Sequence, residues 1–355
     1  MRHLLGIGCQ RLAFNRLGIE VEMVGISEID KYALQSYMAI HGDTKNFGSI
    51  CDIQSLPEVD VFTWSFPCTD LSKAGKQKGL TNTRSGLVYE VLRILHNTEH
   101  KPKVLIMENV VDLVQTKFIR EFQSIQHELE LMGYTNYAET MNAKDYGVVQ
   151  NRDRVFMVSI LGEYYYEFPK PFPLEKRLKD YLEESVDEKY YLSFEQIQIM
   201  ENTIFESMGI DRVNVADGVC NTIMTMGGGN REPKVMEYIA YTSTIITGNK
   251  IDDNLVWKEP VSFEQRTDEG MRFFVDNIMG AMRTTESCGD KRVIESNQKI
   301  RKLTPLECWR LMGIDDKDFR AAEKVCSNSQ LYKQAGNGIV VDVFARIIEQ
   351  MKGKI

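Results

Sequence analysis

The sequence predicts an α/β fold built on a doubly wound sheet, together with a smaller and less regular domain. Through the first 160 residues, short apolar runs alternate with amphipathic segments, a pattern typical of strands connected by helices. From about residue 162 to 301 this alternation gives way to aromatic, charged and glycine-rich stretches. At 355 residues the chain is long enough for one large and one smaller domain.

The elements of the first part follow from periodicity. The predicted strands are 21–26, 61–66, 104–107 and 155–160, and the predicted helices are 10–17, 31–40, 85–95 and 118–132. Later in the chain, an acidic stretch predicts a helix over 178–188. Thr304, Pro305 and Glu307 form a capping-box signal for another helix, and 339–351 is predicted to be the last. Ligands of doubly wound sheets bind beyond the carboxyl ends of the strands, so residues just after each apolar run are candidates for function.

Composition excludes several classes of protein. The formal net charge of -8 argues against indiscriminate nucleic-acid binding but permits a local basic face. No segment resembles a membrane span or a secretory signal, so we expect a cytoplasmic location without membrane contact. The seven cysteines are odd in number and never spaced as a CxxC pair, which predicts reduced thiols and no structural zinc site.

The tract 61–70 places a thiol at the end of a strand. Its apolar run ends at Pro67, which cannot continue a hydrogen-bonded ladder, and Cys68 follows directly. The next residues are polar and glycine-bearing, as in a surface loop that can cover a substrate. An isolated cysteine more often fills space in a core, so the choice between these interpretations depends on the neighbouring tracts.

Polar residues also adjoin two other predicted strands. Glu108 follows the run 104–107, and Arg152 and Arg154 precede the last strand at alternate positions. Alternation in an extended segment puts both arginines on one face, so we expect their guanidinium groups to converge on one anion or carbonyl. A neutral-pH thiolate costs about 2 kcal/mol without a cation, which arginine can supply. A structural salt bridge is the alternative for this arginine pair.

Gly6 and Gly8 form a short glycine turn before the helix 10–17, and Glu28 follows about twenty residues later. This arrangement is typical of a nucleoside cofactor site in which the acid binds ribose hydroxyls, although a lone glycine turn is weak evidence. Asp52 is a candidate acceptor for an adenine amino group.

Six motifs, in order along the chain, resemble those of the cytosine-5 DNA methyltransferases of bacteria and their phages. They are SFPCTDLSKAGKQKG at 65–79, TRSGLVYE at 83–90, MENV at 107–110, QNRDRVF at 150–156, RKLTPLECWRLMG at 301–313 and YKQAGNGIVV at 332–341. The resemblance implies a doubly wound, Rossmann-like S-adenosylmethionine methyltransferase sheet in a catalytic domain, 1–165 and 328–355. It also implies a target-recognition domain and hinge over 166–327.

By this resemblance, the chain methylates carbon 5 of a cytosine flipped out of a specific double-stranded DNA sequence. Cys68 would attack carbon 6 of the ring, and Pro67 would fix the loop that carries it. Glu108 would bind ring nitrogen 3 and the exocyclic amine. Arg154, supported by Arg152, would bind the ring carbonyl.

The resemblance also implies binding residues and partners. S-adenosylmethionine would be bound by Leu4, Gly6, Gly8, Glu28, Ile29, Asp52 and Asn337, and no metal is expected. The implied DNA contacts are Ser72, Gln77, Gln150, Thr222 and Ile223. The chain is expected to act as a monomer, and the sequence leaves open whether a cognate restriction endonuclease accompanies it in a restriction-modification system.

The chain departs from the family pattern at its start. Only five residues precede Gly6, and Leu4 stands where the family has an aromatic residue, so the first strand is predicted to be cut short and cofactor affinity to be poor. Two alternatives stay open. One is a transfer-RNA methyltransferase of the same family, but its Cys-Phe-Thr element is absent. The other is a catalytically impaired DNA-binding module, against which the intact Cys68, Glu108 and Arg154 argue.

Overall fold

The computed structural model describes residues 6–66, 87–193, 213–225, 232–237, 241–247, 250–257, 262–266, 270–274, 291–293 and 299–352. The chain divides into two compact units. The large unit comprises Met1–Ser185, Asp217–Pro233 and Leu303–Ile355, and the small unit comprises Val186–Ala216 and Lys234–Lys302. The first strand that the sequence predicts to be cut short, with Leu4, lies outside the described residues.

The large unit contains a four-stranded mixed sheet. Its strands are β1 (Val61–Trp64), β2 (Val104–Val110), β3 (Tyr134–Asn142) and β5 (Asp153–Leu161), in the order β1-β2-β5-β3. A two-residue strand β4 (Gln150–Asn151) pairs instead with β7 (Cys220–Asn221). Strand β1 runs parallel to β2, but β5 runs antiparallel to both of its neighbours. The α/β fold class is confirmed, with this antiparallel part as an addition that the alternating pattern does not predict.

Helices connect and flank these strands. They are α1 (Cys9–Arg16), α2 (Lys31–His41), α3 (Leu87–Asn97), α4 (Ile119–Leu131), α5 (Pro305–Arg310), α6 (Asp316–Glu323), α7 (Asn328–Asn337) and α8 (Val341–Glu349). Their starts follow from local chemistry. The Asp30 carboxylate caps α2 by accepting from the Tyr32 and Ala33 amides. Thr304 and Glu307 form the predicted capping box of α5.

The main core lies where α3 and α4 pack against β1 and β2. The central strand β2 is buried along nearly its whole length, which explains its uninterrupted apolar run. Trp64 of β1 and Leu105 and Met107 of β2 join Val91 of α3 and Phe122 of α4 in one cluster of buried side chains. This core fixes the positions at which β1 and β2 end.

Two predicted elements differ from the structure, and one strand was not predicted. The predicted strand 21–26 reduces to one isolated bridge between Ile26 and Asn46. The predicted helix 178–188 forms only two short 3-10 turns, Leu178–Tyr181 and Glu188–Tyr190. Strand β3 was not predicted, because polar residues interrupt its sequence and leave no apolar run. It lies at the edge of its sheet, where neighbouring chain rather than periodicity decides the conformation.

The small unit is described mainly as strands. They are β6 (Val213–Val215), β8 (Lys234–Glu237), β9 (Tyr241–Thr247), β10 (Lys250–Trp257), β11 (Ser262–Arg266), β12 (Gly270–Phe274), β13 (Lys291–Val293) and β14 (Lys299–Lys302). They form sheets in the orders β14-β8-β6, β10-β9 and β12-β11-β13. Among the described helices, none has both the length and the apolarity to cross a bilayer.

Candidate active site

The carboxyl end of β2 lies beside the beginning of β5, because these strands are antiparallel. In their register Val110 pairs with Arg154 and Glu108 pairs with Phe156. A strand that ran parallel to β2 would bring its own last residues to this edge instead. The antiparallel direction therefore places the tract before β5 at the edge where ligands of such sheets bind.

Glu108 and Arg154 form an ion pair at this edge. The Arg154 Nε lies 3.0 Å from the Glu108 Oε1, and the two side chains are 18% and 9% exposed, respectively. The Arg154 Nη1 also donates to the Asp153 carbonyl oxygen at 2.7 Å. Partial burial strengthens the pair relative to one in open solvent, and it orients a carboxylate that retains oxygen lone pairs for a further partner.

Arg152 does not join this pair, so the expectation that both guanidinium groups converge on one anion is wrong. Arg152 is 2% exposed. It donates to the carbonyl oxygens of Ile223 at 3.1 Å, Gly336 at 3.1 Å and Gly338 at 2.9 Å. The reason is local: Arg152 lies between β4 and β5, so the alternation of a regular strand does not apply to it.

Asn109 ties the end of β2 to the chain that leads to Cys68, a role that the sequence did not reveal. Its Nδ2 donates to the Phe66 carbonyl oxygen at 3.2 Å, and its Oδ1 accepts from the Val110 amide at 2.9 Å. Phe66 is buried and immediately precedes Pro67. Pro67 and Cys68 themselves, with Ser72 and Gln77, lie outside the described residues.

Three of the described cysteines are buried thiols. Burial raises the pKa of Cys9 and of Cys220 to about 12, and that of Cys308 well above its usual value. A thiol with such a pKa stays protonated at neutral pH, and the thiolate is the nucleophilic form. Cys9, Cys220 and Cys308 are therefore poor candidates for a nucleophile.

The glycine turn is held by Glu28. Gly6 and Gly8 have φ angles of +61° and +83°, which favour glycine. The buried Glu28 carboxylate accepts from the Gly6 amide at 3.1 Å and from the Ile29 and Asp30 amides at 2.7 Å each. At least three backbone hydrogen bonds thus hold this carboxylate in place.

Three of the other predicted cofactor residues are exposed. Ile29 is 43% exposed, and Asp52 and Asn337 are exposed, at the ends of a 3-10 turn and of α7. A Cβ on Gly6 would meet nothing within 4 Å, so the turn is open on that side. An apolar side chain, carboxylates and an open glycine turn fit a nucleoside cofactor.

One group of hydrogen bonds to the backbone, here called the backbone clasp, is formed by Gln150, Thr222 and Ile223. Gln150 is completely buried, and its Nε2 donates to the Leu311 carbonyl oxygen at 2.9 Å while its Oε1 accepts from the Ile223 amide at 3.2 Å. The half-buried Thr222 donates its hydroxyl to the Asn151 carbonyl oxygen at 2.6 Å. Ile223 is 1% exposed. Gln150 and Ile223 thus present almost no surface to a ligand, whereas Thr222 remains partly accessible.

The sequence missed two residues beside this clasp. A Cβ on Gly336 would lie 2.3 Å from the Met224 carbonyl oxygen, so only glycine fits there. Met224 itself is 51% exposed. The combination gives an exposed apolar side chain on a backbone that is packed directly against α7. The only sign of this contact in the sequence was a glycine within a tract that was predicted to form regular structure.

The mixed α/β sheet, with a glycine turn before α1 and a Glu–Arg pair at the end of β2, places the chain in the Rossmann-like class of folds. The model of the C-5 cytosine-specific DNA methylase family matches residues 4–353. The chain belongs to this family and is a methyltransferase that acts on cytosine in DNA. This finding confirms the family resemblance of the six motifs.

Several phage and bacterial methyltransferases are similar over nearly their whole length. The orphan methyltransferase M.SPBetaI of Bacillus phage SPbeta is 30% identical over 438 residues, covering 98% of this chain and 95% of that protein. The type II methyltransferase M2.ScrFI of Lactococcus lactis subsp. cremoris is 32% identical over 406 residues, covering 98% and 96%. The type II methyltransferase M.NlaX of Neisseria lactamica is 32% identical over 354 residues, covering 99% and 95%.

Solved structures share the fold at low sequence identity. The Entamoeba histolytica methyltransferase EhMeth has a TM-score of 0.67 at 17% identity, covering 98% of this chain and 96% of that chain. The Dnmt2 methyltransferase of S. pombe has a TM-score of 0.62 at 17% identity, with the same coverage.

Proposed function

We propose that this enzyme methylates carbon 5 of a flipped cytosine in a specific double-stranded DNA sequence, through a covalent adduct with Cys68. The observation that carries the proposal is the Glu108–Arg154 pair at the end of β2. The neighbouring Asn109 holds the Phe66 carbonyl oxygen, two residues before Cys68. A carboxylate, a guanidinium and the approach to a thiol therefore adjoin one strand end.

The proposed chemistry makes carbon 5 of the ring, which is otherwise unreactive, nucleophilic. The Cys68 thiolate bonds to carbon 6, and electron density moves to carbon 5, which becomes nucleophilic. Bound S-adenosylmethionine supplies the methyl group. Loss of the carbon 5 proton to a base restores the ring double bond and breaks the sulfur–carbon bond, which frees Cys68.

Glu108 and Arg154 have separate roles toward the polar atoms of the cytosine ring. Glu108 holds ring nitrogen 3 with a proton and accepts from the exocyclic amine, which stabilises the charge that develops during attack. Arg154 fixes the Glu108 carboxylate and donates to the ring carbonyl. A positive charge near Cys68 also favours its thiolate. The elevated pKa values of the buried Cys9 and Cys220 thiols argue against these two residues as alternative nucleophiles.

Cofactor binding is assigned to the glycine turn and the strand-end residues around it. Gly6 and Gly8 would allow close approach of the backbone, and Glu28 would bind the ribose hydroxyls. The exposed Ile29 is suited to pack on the adenine, Asp52 to accept from its amine, and Asn337 to bind the methionine end. Leu4 is assigned to this site by resemblance alone.

Target recognition is assigned to residues 166–327, with DNA contacts from Ser72, Gln77 and Thr222. Gln150 and Ile223 would act on DNA binding indirectly, because their burial suits them to hold Thr222. We further propose a cytoplasmic monomer. Similarity to type II methyltransferases supports a cognate restriction endonuclease, whereas similarity to M.SPBetaI supports action without one. Restriction of unmethylated phage DNA by the source cell separates these possibilities.

The test is a covalent trap. Long duplex DNA in which every cytosine is replaced by 5-fluorocytosine contains the target whatever its sequence, and fluorine at carbon 5 blocks the proton loss that releases the enzyme. With S-adenosylmethionine, the wild-type protein should form a denaturation-resistant adduct, and Cys68→Ser should form none while still binding duplex DNA. Cys326→Ser, which alters a half-buried thiol outside the site, is the matched control.

Two outcomes contradict the proposal: an adduct with Cys68→Ser, or no adduct with the wild-type protein. Radioactive methyl transfer to duplex DNA compared with transfer RNA tests the RNA alternative. Bisulfite sequencing of host DNA from cells that produce the protein identifies the methylated site.

A further inference from the structure

One buried guanidinium joins three parts of the chain that the proposed function uses separately. The Arg152 Nη1 donates to the Ile223 carbonyl oxygen at 3.1 Å, and its Nη2 donates to those of Gly336 and Gly338 at 3.1 Å and 2.9 Å. Arginine is suited to this position, because its planar group carries five N–H donors in a fixed geometry. The ammonium of lysine cannot match that spread of donors.

Each partner adjoins a residue with a proposed role. Gly336 and Gly338 flank Asn337, which is assigned to the methionine end of the cofactor. Ile223 follows Thr222, which is assigned to DNA. Arg152 is itself two residues before Arg154. The Arg152 side chain therefore contacts both the segment assigned to the cofactor and the segment assigned to DNA, and it lies next to the strand that carries Arg154.

The surroundings make this junction stiff. Arg152 is 2% exposed, and hydrogen bonds of a charged group are stronger in such a site than in water. The carbonyl of Met224 packs against the bare Cα of Gly336. The Ile223 amide is held by the buried Gln150. Movement of the Gly336–Gly338 backbone would therefore move the guanidinium and, through it, the segment 220–225.

We propose that Arg152 is a positioning residue that transmits cofactor binding at Asn337 to the DNA-contact segment 220–225. The inference rests on the proposed function, because it takes S-adenosylmethionine as the ligand near Asn337. It replaces the supporting contact with the cytosine carbonyl that the sequence suggested for Arg152.

Hydrogen exchange measured by mass spectrometry tests this without turnover. S-adenosylhomocysteine serves as the probe, and the reporters are peptides that cover 218–225, 335–340 and 26–31. In the wild-type protein the probe should slow exchange in all three, with an effect on 218–225 of about fivefold or more. In Arg152→Lys the probe should still slow exchange in 26–31 and 335–340 but lose its effect on 218–225.

Arg310→Lys is the matched control. Arg310 also donates to a distant backbone carbonyl, that of Tyr181 at 3.2 Å, and pairs with Asp316, but none of these partners has a proposed role. It should lose stability and retain the wild-type protection of 218–225. Thermal unfolding of both variants establishes that they are folded at the temperature of the exchange experiment. If Arg152→Lys is unfolded there, the same comparison is made with Gln150→Met, which removes the hydrogen bonds to the Ile223 amide and the Leu311 carbonyl without burying a charge. Arg152 is retained in this variant, so the protection of 218–225 should fall only partly.

The outcomes separate the two proposals. Equal protection of 218–225 in Arg152→Lys and wild type, or no protection of 218–225 in a wild type that binds the probe, would overturn the role of Arg152 alone. No protection of any peptide in the wild type would refute the cofactor assignment, and the inference with it.

Discussion

The chemistry proposed for this enzyme depends on one contact between side chains, the 3.0 Å approach of the Arg154 Nε to the Glu108 Oε1. Neither residue alone distinguishes a catalytic group from a structural one. Their pairing at the end of a buried strand, with little exposure, fixes the direction in which the free carboxylate lone pairs point. A substrate ring must then adopt one orientation to use both groups.

Substitution of the carboxylate tests this directly. Glu108→Gln preserves the shape and an oxygen acceptor but replaces the carboxyl group with a neutral amide, which cannot exchange a proton with ring nitrogen 3. We expect the methyl-transfer rate constant to fall about 100-fold or more, while duplex DNA binding changes little. Glu90→Gln, which removes a half-exposed pair with Arg93, is the control. Equal rates in the two variants would show that Glu108 has no part in the reaction.

His41 predicts how stability depends on pH. Burial lowers its pKa to about 4, and its Nε2 lies 3.1 Å from the Ile7 carbonyl oxygen beside the glycine turn. The unfolded histidine takes up a proton near pH 6.5, whereas the folded one does so near pH 4, so its contribution is complete above pH 6.5 and is lost as the pH falls toward 4. At most, roughly 2 kcal/mol of unfolding free energy is lost through His41 between pH 7 and pH 5.

Urea unfolding at the two pH values measures this loss. His41→Asn should reduce the difference between pH 7 and pH 5, and His127→Asn, which changes an exposed ring, should leave it unchanged. A difference that is the same in wild type and His41→Asn would contradict the assignment.

At the residue scale, the sequence predicted the identities of the polar groups better than their partners. Glu108 and Arg154 could be proposed because both adjoin apolar runs. The partners of Arg152 could not, because they lie 71 to 186 positions away in the chain and depend on how the C-terminal helices pack. Asn109 follows the same apolar run as Glu108, but its contact could not be predicted, because its amide acts on a backbone carbonyl, which leaves no mark in the sequence.

At the scale of elements, helix α7 depends on a glycine that helical propensity would disfavour. Alanine normally stabilises a helix relative to glycine. At Gly336 the new Cβ would lie 2.3 Å from the Met224 carbonyl oxygen. We therefore expect Gly336→Ala to lower the unfolding free energy by about 1–3 kcal/mol and to weaken DNA binding by displacing 222–225.

Ser329→Ala introduces the same residue at an exposed position of the same helix and should be close to neutral. Thermal unfolding and DNA titration of both variants provide the comparison. A more stable Gly336→Ala would mean that the close contact of α7 with Met224 does not exist in solution.

The stability of helix α5 also depends on local chemistry, at its first residues. The Thr304 Oγ1 accepts from the Glu307 amide at 3.2 Å and donates to the Glu183 Oε1 at 2.5 Å. Thr304→Ala should lower the unfolding free energy by about 1 kcal/mol or somewhat more, and Thr304→Ser should restore most of it. Chemical unfolding of the pair measures the difference. Equal losses in both would assign the effect to the methyl group instead of the hydroxyl.

Elements with strong local signals were predicted well. Helices α2, α3, α4 and α8 and strand β2 lie within a few residues of their predicted bounds, because each buries one face or its whole length. Strand β3 was not predicted, and the helix predicted over 178–188 does not form, because their conformation is set by neighbouring chain. The direction of β5 also depends on strand pairing, which periodicity does not encode.

At the scale of the whole molecule, the large unit is closed by contacts between the beginning and the end of the chain. Arg16 of α1 donates to the Asp342 Oδ1 at 2.5 Å and to the Gly313 carbonyl oxygen at 2.6 Å, and lies 3.2 Å from the Asp315 Oδ1. These partners precede or belong to α6 and α8. The unit therefore needs its last fifty residues in order to hold its first helix.

Removal of the Arg16 side chain should lower the unfolding free energy measurably. Arg16→Met should lower the unfolding free energy by about 1 kcal/mol, since the pairs are partly exposed, and the difference should shrink at high salt. Arg320→Met, which removes a pair with Glu323 and a contact with the adjacent Phe319 ring within one helix, should change stability less. Equal effects of the two substitutions would argue that closure by Arg16 contributes nothing beyond an ordinary surface pair.

The reversed direction of β5 limits how the chain can vary. Arg154 of β5 contacts Glu108 only while the hairpin of β3 and β5 keeps its register. A one-residue insertion would turn every following side chain to the opposite face of the sheet. The neighbour of Arg154 in the sequence is Asp153, so such a slip would set carboxylate against carboxylate at the reaction centre. A two-residue shift would keep each side chain on its face but would still move Arg154 about 7 Å along the strand, away from Glu108. Length changes that shift this register should therefore not be tolerated, which makes the hairpin an unsuitable place to graft a segment from a relative.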